Sequence, residues 1–167
     1  GISFGKKIIK KLGGKPELVY AEHPYTRSTI NEFILDIVPC YKLKSASKIK
    51  SAVDRTPFHT EYILKNFSGT QANEVRLLKR FMQGIGVDGA KEKVRAFYDY
   101  LCELLILEYG TFLKLLSSSG KWKLGHSIDN EDFGTIQKFD DSLIVIDPTD
   151  KNRNVAAALD KDKYEIF

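Results

Sequence analysis

Phe33-Ile34-Leu35-Asp36-Ile37-Val38-Pro39-Cys40-Tyr41 carries one acidic residue in an otherwise apolar run. The alternation of side chains across residues 29–41 predicts a long β-strand. A carboxylate within such a strand is costly to bury without a partner. Two interpretations stay open for Asp36: backbone amides or an arginine satisfy it, or it is a ligand of Mg²⁺, which prefers hard oxygen atoms and substrate phosphates.

The pattern on either side of this strand predicts an α+β fold. Before it we expect a short amphipathic helix over residues 3–12, a strand over 18–21 and a connection over 26–28. After residue 57 the apolar period becomes helical, which predicts helices over 71–83 and 88–118, the second divided at Gly110. An apolar strand over 143–146 and a helix start over 155–159 complete the chain. Strands first and helices later are typical of an α+β protein.

Composition narrows the class of protein. The chain has 167 residues and a net charge of +4, which permits a nucleic-acid partner without requiring one. No apolar run approaches the roughly 20 residues that span a membrane. Its two cysteines, Cys40 and Cys102, fit apolar patterns and are interpreted as reduced core thiols, which favours a cytoplasmic protein. The sequence contains no P-loop, no Cys/His metal cluster and no nucleophile elbow.

Thr56-Pro57-Phe58-His59 is typical of a helix start, with Thr56 as N-cap and Pro57 at the first helical position. The unpaired N–H groups of a helix start also suit a hydroxyl or an anion. His59 is therefore either merely solvated or a neutral group that hydrogen-bonds a sugar hydroxyl.

Two further segments carry candidate phosphate or base contacts. Arg76, Lys79 and Arg80 share a helix face, which is either a solvated face or a phosphate-binding edge. Arg153 lies in a polar segment that begins at Asp147-Pro148 and is interpreted as a turn. Its guanidinium could reach a base or a phosphate.

Six blocks of the sequence resemble the archaeal, class I CCA-adding tRNA nucleotidyltransferases, in the order of that family. They lie within residues 20–25, 36–43, 49–59, 73–79, 100–105 and 147–157. The resemblance implies an enzyme that adds C, C and A to tRNA 3′ ends from CTP and ATP, with Mg²⁺ as cofactor. It implies that Asp36 is a catalytic carboxylate and metal ligand, that Thr56 and His59 contact ribose, that Lys79 contacts the triphosphate, and that Arg153 helps select the base.

The same resemblance predicts the domain organisation. Residues 1–45 would be the C-terminal part of an incomplete nucleotidyltransferase palm. Residues 46–160 would be a helical domain like that of poly(A) polymerases and oligoadenylate synthases, and residues 161–167 the start of a tail region. The paired carboxylates of the family's palm do not occur in the chain, so we expect an internal fragment that is inactive alone. Asp88 stands where the family is expected to have tyrosine, and we expect it to cap the following helix.

Other functions remain alternatives at this point. A non-catalytic RNA-binding module is one, and a relative that polymerises other tails is another. The expected partners are tRNA, ATP and CTP, with no membrane. The exposed edge of an incomplete sheet favours self-pairing, which makes a homodimer an expected assembly.

Overall fold

The computed structural model describes residues 1–20, 23–89 and 96–167. The chain forms two compact units, which divide between Pro57 and Phe58. The domain boundary expected at residue 45 precedes this division, because residues 46–57 belong to the first unit. The α+β class is confirmed, since each unit combines helices with a three-stranded sheet.

The first unit packs one helix against an antiparallel sheet of order β1-β2-β3. Its elements are α1 (Ile2–Lys11), β1 (Glu17–Tyr20), β2 (Pro24–Ile30) and β3 (Phe33–Ile37). The apolar side of α1 buries Ile9 and approaches β2 at Gly5. A Cβ at Gly5 would come 2.7 Å from Thr26 Oγ1, so only glycine allows this approach. The amphipathic helix expected at residues 3–12 is confirmed.

The single strand predicted over residues 29–41 is wrong, because the segment folds as a hairpin. Ile30 pairs with Phe33 across the two-residue turn Asn31-Glu32, whose φ angles are 49° and 68°. Positive φ at both central residues is the requirement of a type I′ turn. The connection expected at residues 26–28 lies inside β2, and Val38–Tyr41 are outside any strand. Continuous apolar alternation concealed the turn, since the turn residues are not glycine.

Thr56 begins α2 (Thr56–Asn66) with helical angles, φ −50° and ψ −45°. The prediction that Thr56 is the N-cap, outside the helix proper, is therefore wrong. The physical reason is that a 3-10 helix, Ala52–Arg55, runs directly into it. Buried Asp54 holds this entry by accepting backbone N–H groups of Tyr41, Lys50 and Ser51 at 2.8–3.0 Å. Those bonds, the one from Tyr41 foremost, lower the pKa of Asp54.

The second unit surrounds a small mixed sheet with helices. Its further elements are α3 (Gln71–Gly84), α4 (Asp99–Tyr109), α5 (Phe112–Ser119), β4 (His126–Ile128), β5 (Leu143–Asp147), β6 (Asp150–Asn154) and α6 (Lys161–Ile166). Strand β5 is central, parallel to β4 and antiparallel to β6. Every residue of β5 is buried. The core joins it to the apolar faces of α3 and α4 through residues such as Leu78, Met82, Leu101, Leu105 and Val145.

Apolar periodicity predicted several of these elements. The helix expected at 71–83 and the strand expected at 143–146 are confirmed as α3 and β5. The helix expected over 88–118 is wrong in extent, because α4 begins at Asp99. Residues 90–95 lie outside the described part of the chain. Gly110, at φ 79°, separates α4 from α5 as expected. Asp88 does not cap α4; it pairs by a backbone bridge with Phe97. The helix start expected over 155–159 is wrong: residues 155–158 form turns, and the next helix begins at Lys161.

The two cysteines have different environments. Cys102 is buried in the core as expected, and burial raises its pKa to about 12. Cys40 is exposed, because Val38–Tyr41 leave the sheet, so its assignment to the core is wrong. Both thiols are free.

Candidate nucleotide site and a surface carboxylate pair

Asp147 is the centre of a polar cluster in the second unit. It ends the buried strand β5 and its side chain has no solvent exposure. One carboxylate oxygen, Oδ2, accepts from His59 Nε2 at 3.0 Å and from Arg153 Nη1 at 2.8 Å. The other, Oδ1, accepts the backbone N–H and the hydroxyl of Thr149 at 2.9 and 2.8 Å. The chain thus brings two predicted site residues, His59 and Arg153, onto one atom.

The electrostatics of this cluster keep Asp147 ionised. Burial by itself raises the pKa of Asp147, but the hydrogen bonds from His59 and Thr149 outweigh it and hold the pKa at about 2. A buried charge is tolerated where it is paired and hydrogen-bonded, and four bonds satisfy this carboxylate. Asp147 is therefore a fixed anion throughout the physiological pH range.

Tyr100, from α4, completes the surroundings of His59. The two rings stack with their centroids 3.7 Å apart and an angle of 6° between their planes. Burial, and then the charge of Asp147, raise the pKa of Tyr100. The imidazole of His59 is therefore held on one face by a ring and at one edge by a carboxylate.

Lys79 lies in an adjoining cleft of about 500 Å³, whose lining includes Asp88, Asp99 and Tyr100. Its ammonium pairs with Asp99 at 2.8 Å, and this hydrogen bond raises the pKa of Lys79. The consecutive residues Asp99 and Tyr100 link the lysine to His59. Glu103 lies on the same helix, α4. Burial, and then the charge of Asp99, raise the pKa of Glu103, while Lys79 and His59 act to lower it. Lys79 thus belongs to the same region as His59 and Arg153.

The neighbours of Lys79 on α3 face other partners. Arg76 donates to Asn73 Oδ1 and Arg80 to Gln83 Oε1, and both arginines are exposed. Among the three cations of this helix face, Lys79 is the one that lines the cleft.

Asp36 has a different environment, in the first unit. It lies opposite Arg27 on neighbouring strands, and the two side chains form a bidentate pair with bonds of 2.6 and 2.7 Å. The side chains are 36% and 40% exposed. The hydrogen bonds from Arg27 lower the pKa of Asp36. Of the two interpretations of this residue, the structure contains the arginine partner, on an open sheet face.

The donor set around Asp36 does not fit a magnesium ion. Both carboxylate oxygens are engaged by Arg27. Within residues 1–20, 23–89 and 96–167 no group of three or more His, Cys, Asp or Glu side chains could hold a metal. Mg²⁺ needs near-octahedral oxygen coordination, for which this site offers one occupied carboxylate.

Thr56 lies in the first unit and is exposed at the start of α2. Sequence reasoning missed Asp147 and Tyr100, which organise His59 and Arg153. The signal for Asp147 was its place directly after a fully apolar strand and before Pro148. For Tyr100 the helical pattern carried no signal, since its partner lies 41 residues away along the chain.

The described helices include none long and apolar enough to cross a lipid bilayer.

Comparison with known families places these residues in context. Residues 73–167 match the family model described as tRNA nucleotidyltransferase, second domain. The matched range contains Lys79, Tyr100, Asp147 and Arg153; His59 precedes it.

Curated relatives match the chain over its whole length. It is 48% identical to a CCA-adding enzyme of Methanococcus maripaludis, with all of this chain and 40% of that protein covered. It is 42% identical to one of Methanocaldococcus jannaschii and 44% identical to one of Archaeoglobus fulgidus, again over all of this chain and over 39% and 37% of those proteins. The chain spans about 40% of the length of the curated relatives it matches.

Proposed function

Because the chain belongs to the tRNA nucleotidyltransferase family, we propose that it is part of an enzyme that adds CCA to tRNA 3′ ends from CTP and ATP. Its contribution would be to bind the incoming nucleotide. The first unit would be part of the nucleotidyltransferase palm, and the second the helical substrate-binding domain. One observation carries the proposal: a carboxylate oxygen of Asp147 accepts hydrogen bonds from both His59 and Arg153, beside the cleft that Lys79 lines.

Each cation would meet a different part of the nucleotide. Arg153 is 31% exposed and uses one N–H on Asp147, so its other donors are available for a base edge. Lys79 would exchange Asp99 for the triphosphate, because a polyphosphate carries more negative charge than one exposed carboxylate. His59 would accept a ribose hydroxyl, with Thr56 as a further ribose contact. Electrostatic complementarity of this kind fixes the orientation of a substrate.

Asp36 would act as a catalytic carboxylate only after release from Arg27. Coordination of Mg²⁺ there would also need carboxylates beyond those of the described residues. The role of Asp36 therefore rests on the family resemblance, and the nucleotide proposal does not depend on it.

Calorimetric titration of the chain with ATP and CTP tests the proposal. We expect binding of both, and a loss of about tenfold in affinity for Arg153→Ala and Lys79→Ala, since each removes a charge-assisted contact. Lys65→Ala is the matched control: this lysine is exposed on α2 and no ion pair to it occurs in the part of the chain that the structure describes. Absence of nucleotide binding, or equal losses in the control, would contradict the proposal.

A second function, RNA binding without chemistry, is favoured by α1. Its outer side carries the exposed lysines Lys6, Lys7, Lys10 and Lys11 and no acidic residue. Such a cluster would contact a phosphate backbone, and affinity would then fall steeply with salt. Titration of tRNA at several salt concentrations, with and without ATP, separates the two functions. A salt-dependent affinity that ATP leaves unchanged, in a chain that binds no ATP, would favour the second.

A further inference from the structure

We infer that Asp147 is a positioning residue: it fixes the ring proton of His59 on Nε2, so that Nδ1 is a hydrogen-bond acceptor for a ligand hydroxyl beside Arg153. The identification of that hydroxyl as the ribose of a nucleotide rests on the proposed function. The position of the proton does not.

The shared oxygen, Asp147 Oδ2, determines which nitrogen of His59 carries a hydrogen. An ionised carboxylate has no proton to donate, so every atom that bonds to it must carry one. Asp147 is ionised at neutral pH, since its pKa is about 2. The atom of His59 that lies 3.0 Å from Asp147 Oδ2 is Nε2, and Nε2 therefore carries a hydrogen. When the imidazole is neutral, the hydrogen on Nε2 is its only N–H, and Nδ1 then carries a lone pair.

Nδ1 of His59 is open to a ligand. Across residues 1–20, 23–89 and 96–167, His59 has no hydrogen bond other than the one to Asp147. Its side chain is 15% exposed, and Nδ1 is absent from the fully buried polar atoms that lack a partner. An acceptor that is unpaired yet reached by solvent suits a hydroxyl donor from a bound molecule.

Asp147 is held too firmly to turn away from His59. Both hydrogen bonds of Thr149 fix Oδ1, and the buried strand β5 fixes the backbone. Tyr100 lies parallel to the ring of His59, so a rotation of the imidazole out of its plane would break the stacking contact. The carboxylate thus determines which edge of the imidazole His59 presents to a ligand, and the same oxygen orients the guanidinium of Arg153.

The arrangement defines the ligand by its chemistry. The ligand would offer a hydroxyl group to Nδ1 of His59 and a hydrogen-bond acceptor to the free N–H groups of Arg153. A ribonucleotide has both, through its sugar and its base. Analogues that lack one sugar hydroxyl would keep the base contact and lose the hydrogen bond to His59.

Nitrogen-15 NMR of the ligand-free chain, with labelled histidine, tests the position of the proton directly. We expect His59 in the Nε2–H form, with a ring N–H signal protected from exchange with water. In Asp147→Asn the negative charge is lost and we expect this protection to be lost. Tyr62→Phe is the matched control, because it removes another hydrogen bond to a carboxylate, that from Tyr62 to Glu131, on the same helix.

Two results would overturn the inference. One is a proton on Nδ1 in the unmodified chain, a measurement that requires no variant to fold. The other is an unchanged, protected His59 N–H signal in folded Asp147→Asn.

Affinities for ATP, 2′-deoxy-ATP and 3′-deoxy-ATP supply the second readout. We expect the unmodified chain to prefer ATP over one of the two analogues by about tenfold, the effect of one hydrogen bond. In Asp147→Asn that ratio should fall toward one, while Tyr62→Phe keeps it. Retention of the ratio in Asp147→Asn would overturn the inference. Failure of all three nucleotides to bind would instead overturn the proposed function, and the NMR result alone would then decide the role of Asp147.

Discussion

Asp36 and Asp147 are two carboxylates that each pair with an arginine, and they differ in almost everything else. Asp36 lies on an open sheet face with its partner Arg27, both more than a third exposed. Asp147 is fully buried and accepts hydrogen bonds from three residues, His59, Arg153 and Thr149. A surface pair is worth little because water competes for both ions, whereas a buried carboxylate without its partners is strongly destabilising. Burial, more than the pairing itself, therefore decides how much a carboxylate contributes to the stability of the fold.

Replacement of Asp147 should have the largest effect. Asp147→Ala leaves Arg153 and His59 without their anion, and we expect the second unit to lose about 3–5 kcal/mol of unfolding free energy. Urea unfolding followed by fluorescence measures this loss, because the single tryptophan, Trp122, is partly buried and packs against the core of that unit. Asp140→Ala, an exposed carboxylate shortly before β5, should change stability by less than about 0.5 kcal/mol. Equal losses for the two variants would contradict the comparison.

Acid should have the next largest effect. The pKa of Asp147 is lowered to about 2 in the fold, so its contribution is present above the unfolded pKa of about 4 and is lost as the pH falls toward 2. We expect a loss of about 2 kcal/mol from this group over that interval. Urea unfolding at several pH values should show a flatter dependence for Asp147→Asn than for the unmodified chain. If Asp36→Asn flattened the pH dependence of stability by the same amount, the exposure of a carboxylate would not determine its contribution.

A smaller effect tests the hairpin that places Asp36 opposite Arg27. Glu32 adopts φ 68° without being glycine, which strains the turn. We expect Glu32→Gly to stabilise the first unit by about 0.5–1 kcal/mol, as measured by amide hydrogen exchange in β2 and β3. Asn31→Gly is the control and should stabilise less, since asparagine tolerates this conformation. A loss of stability in Glu32→Gly would argue against the type I′ turn.

Removal of Arg27 should have the smallest effect. Arg27→Ala breaks the bidentate pair, yet both groups become hydrated, so we expect a loss below about 1 kcal/mol. Added salt should reduce the difference further, because exposed charges are screened. Hydrogen exchange of β2 at low and high salt measures it. A salt-independent loss as large as that of Asp147→Ala would mean that the Asp36 pair is buried by a surface outside the described residues.

Local pattern predicted much of the secondary structure. The periodicity of α1 and α3 and the unbroken apolar run of β5 were sufficient, because each reflects burial of one side of a single element. The hairpin at Asn31-Glu32 was not predicted, since the turn residues fit a strand equally well in the sequence. The residues of β6, Asp150–Asn154, are all polar, so their pattern predicts a turn where the structure has a strand.

The sequence by itself determined the family, the α+β class and the identity of His59, Lys79 and Arg153 as candidate contacts, because these depend on residue types at fixed spacing. Only the tertiary structure decided which carboxylate they share. Asp147 meets His59 across 88 residues of chain, and no local periodicity records a contact of that length. The same packing placed Arg27 against Asp36 at the surface, since strand register, unlike composition, chooses the neighbour across a sheet.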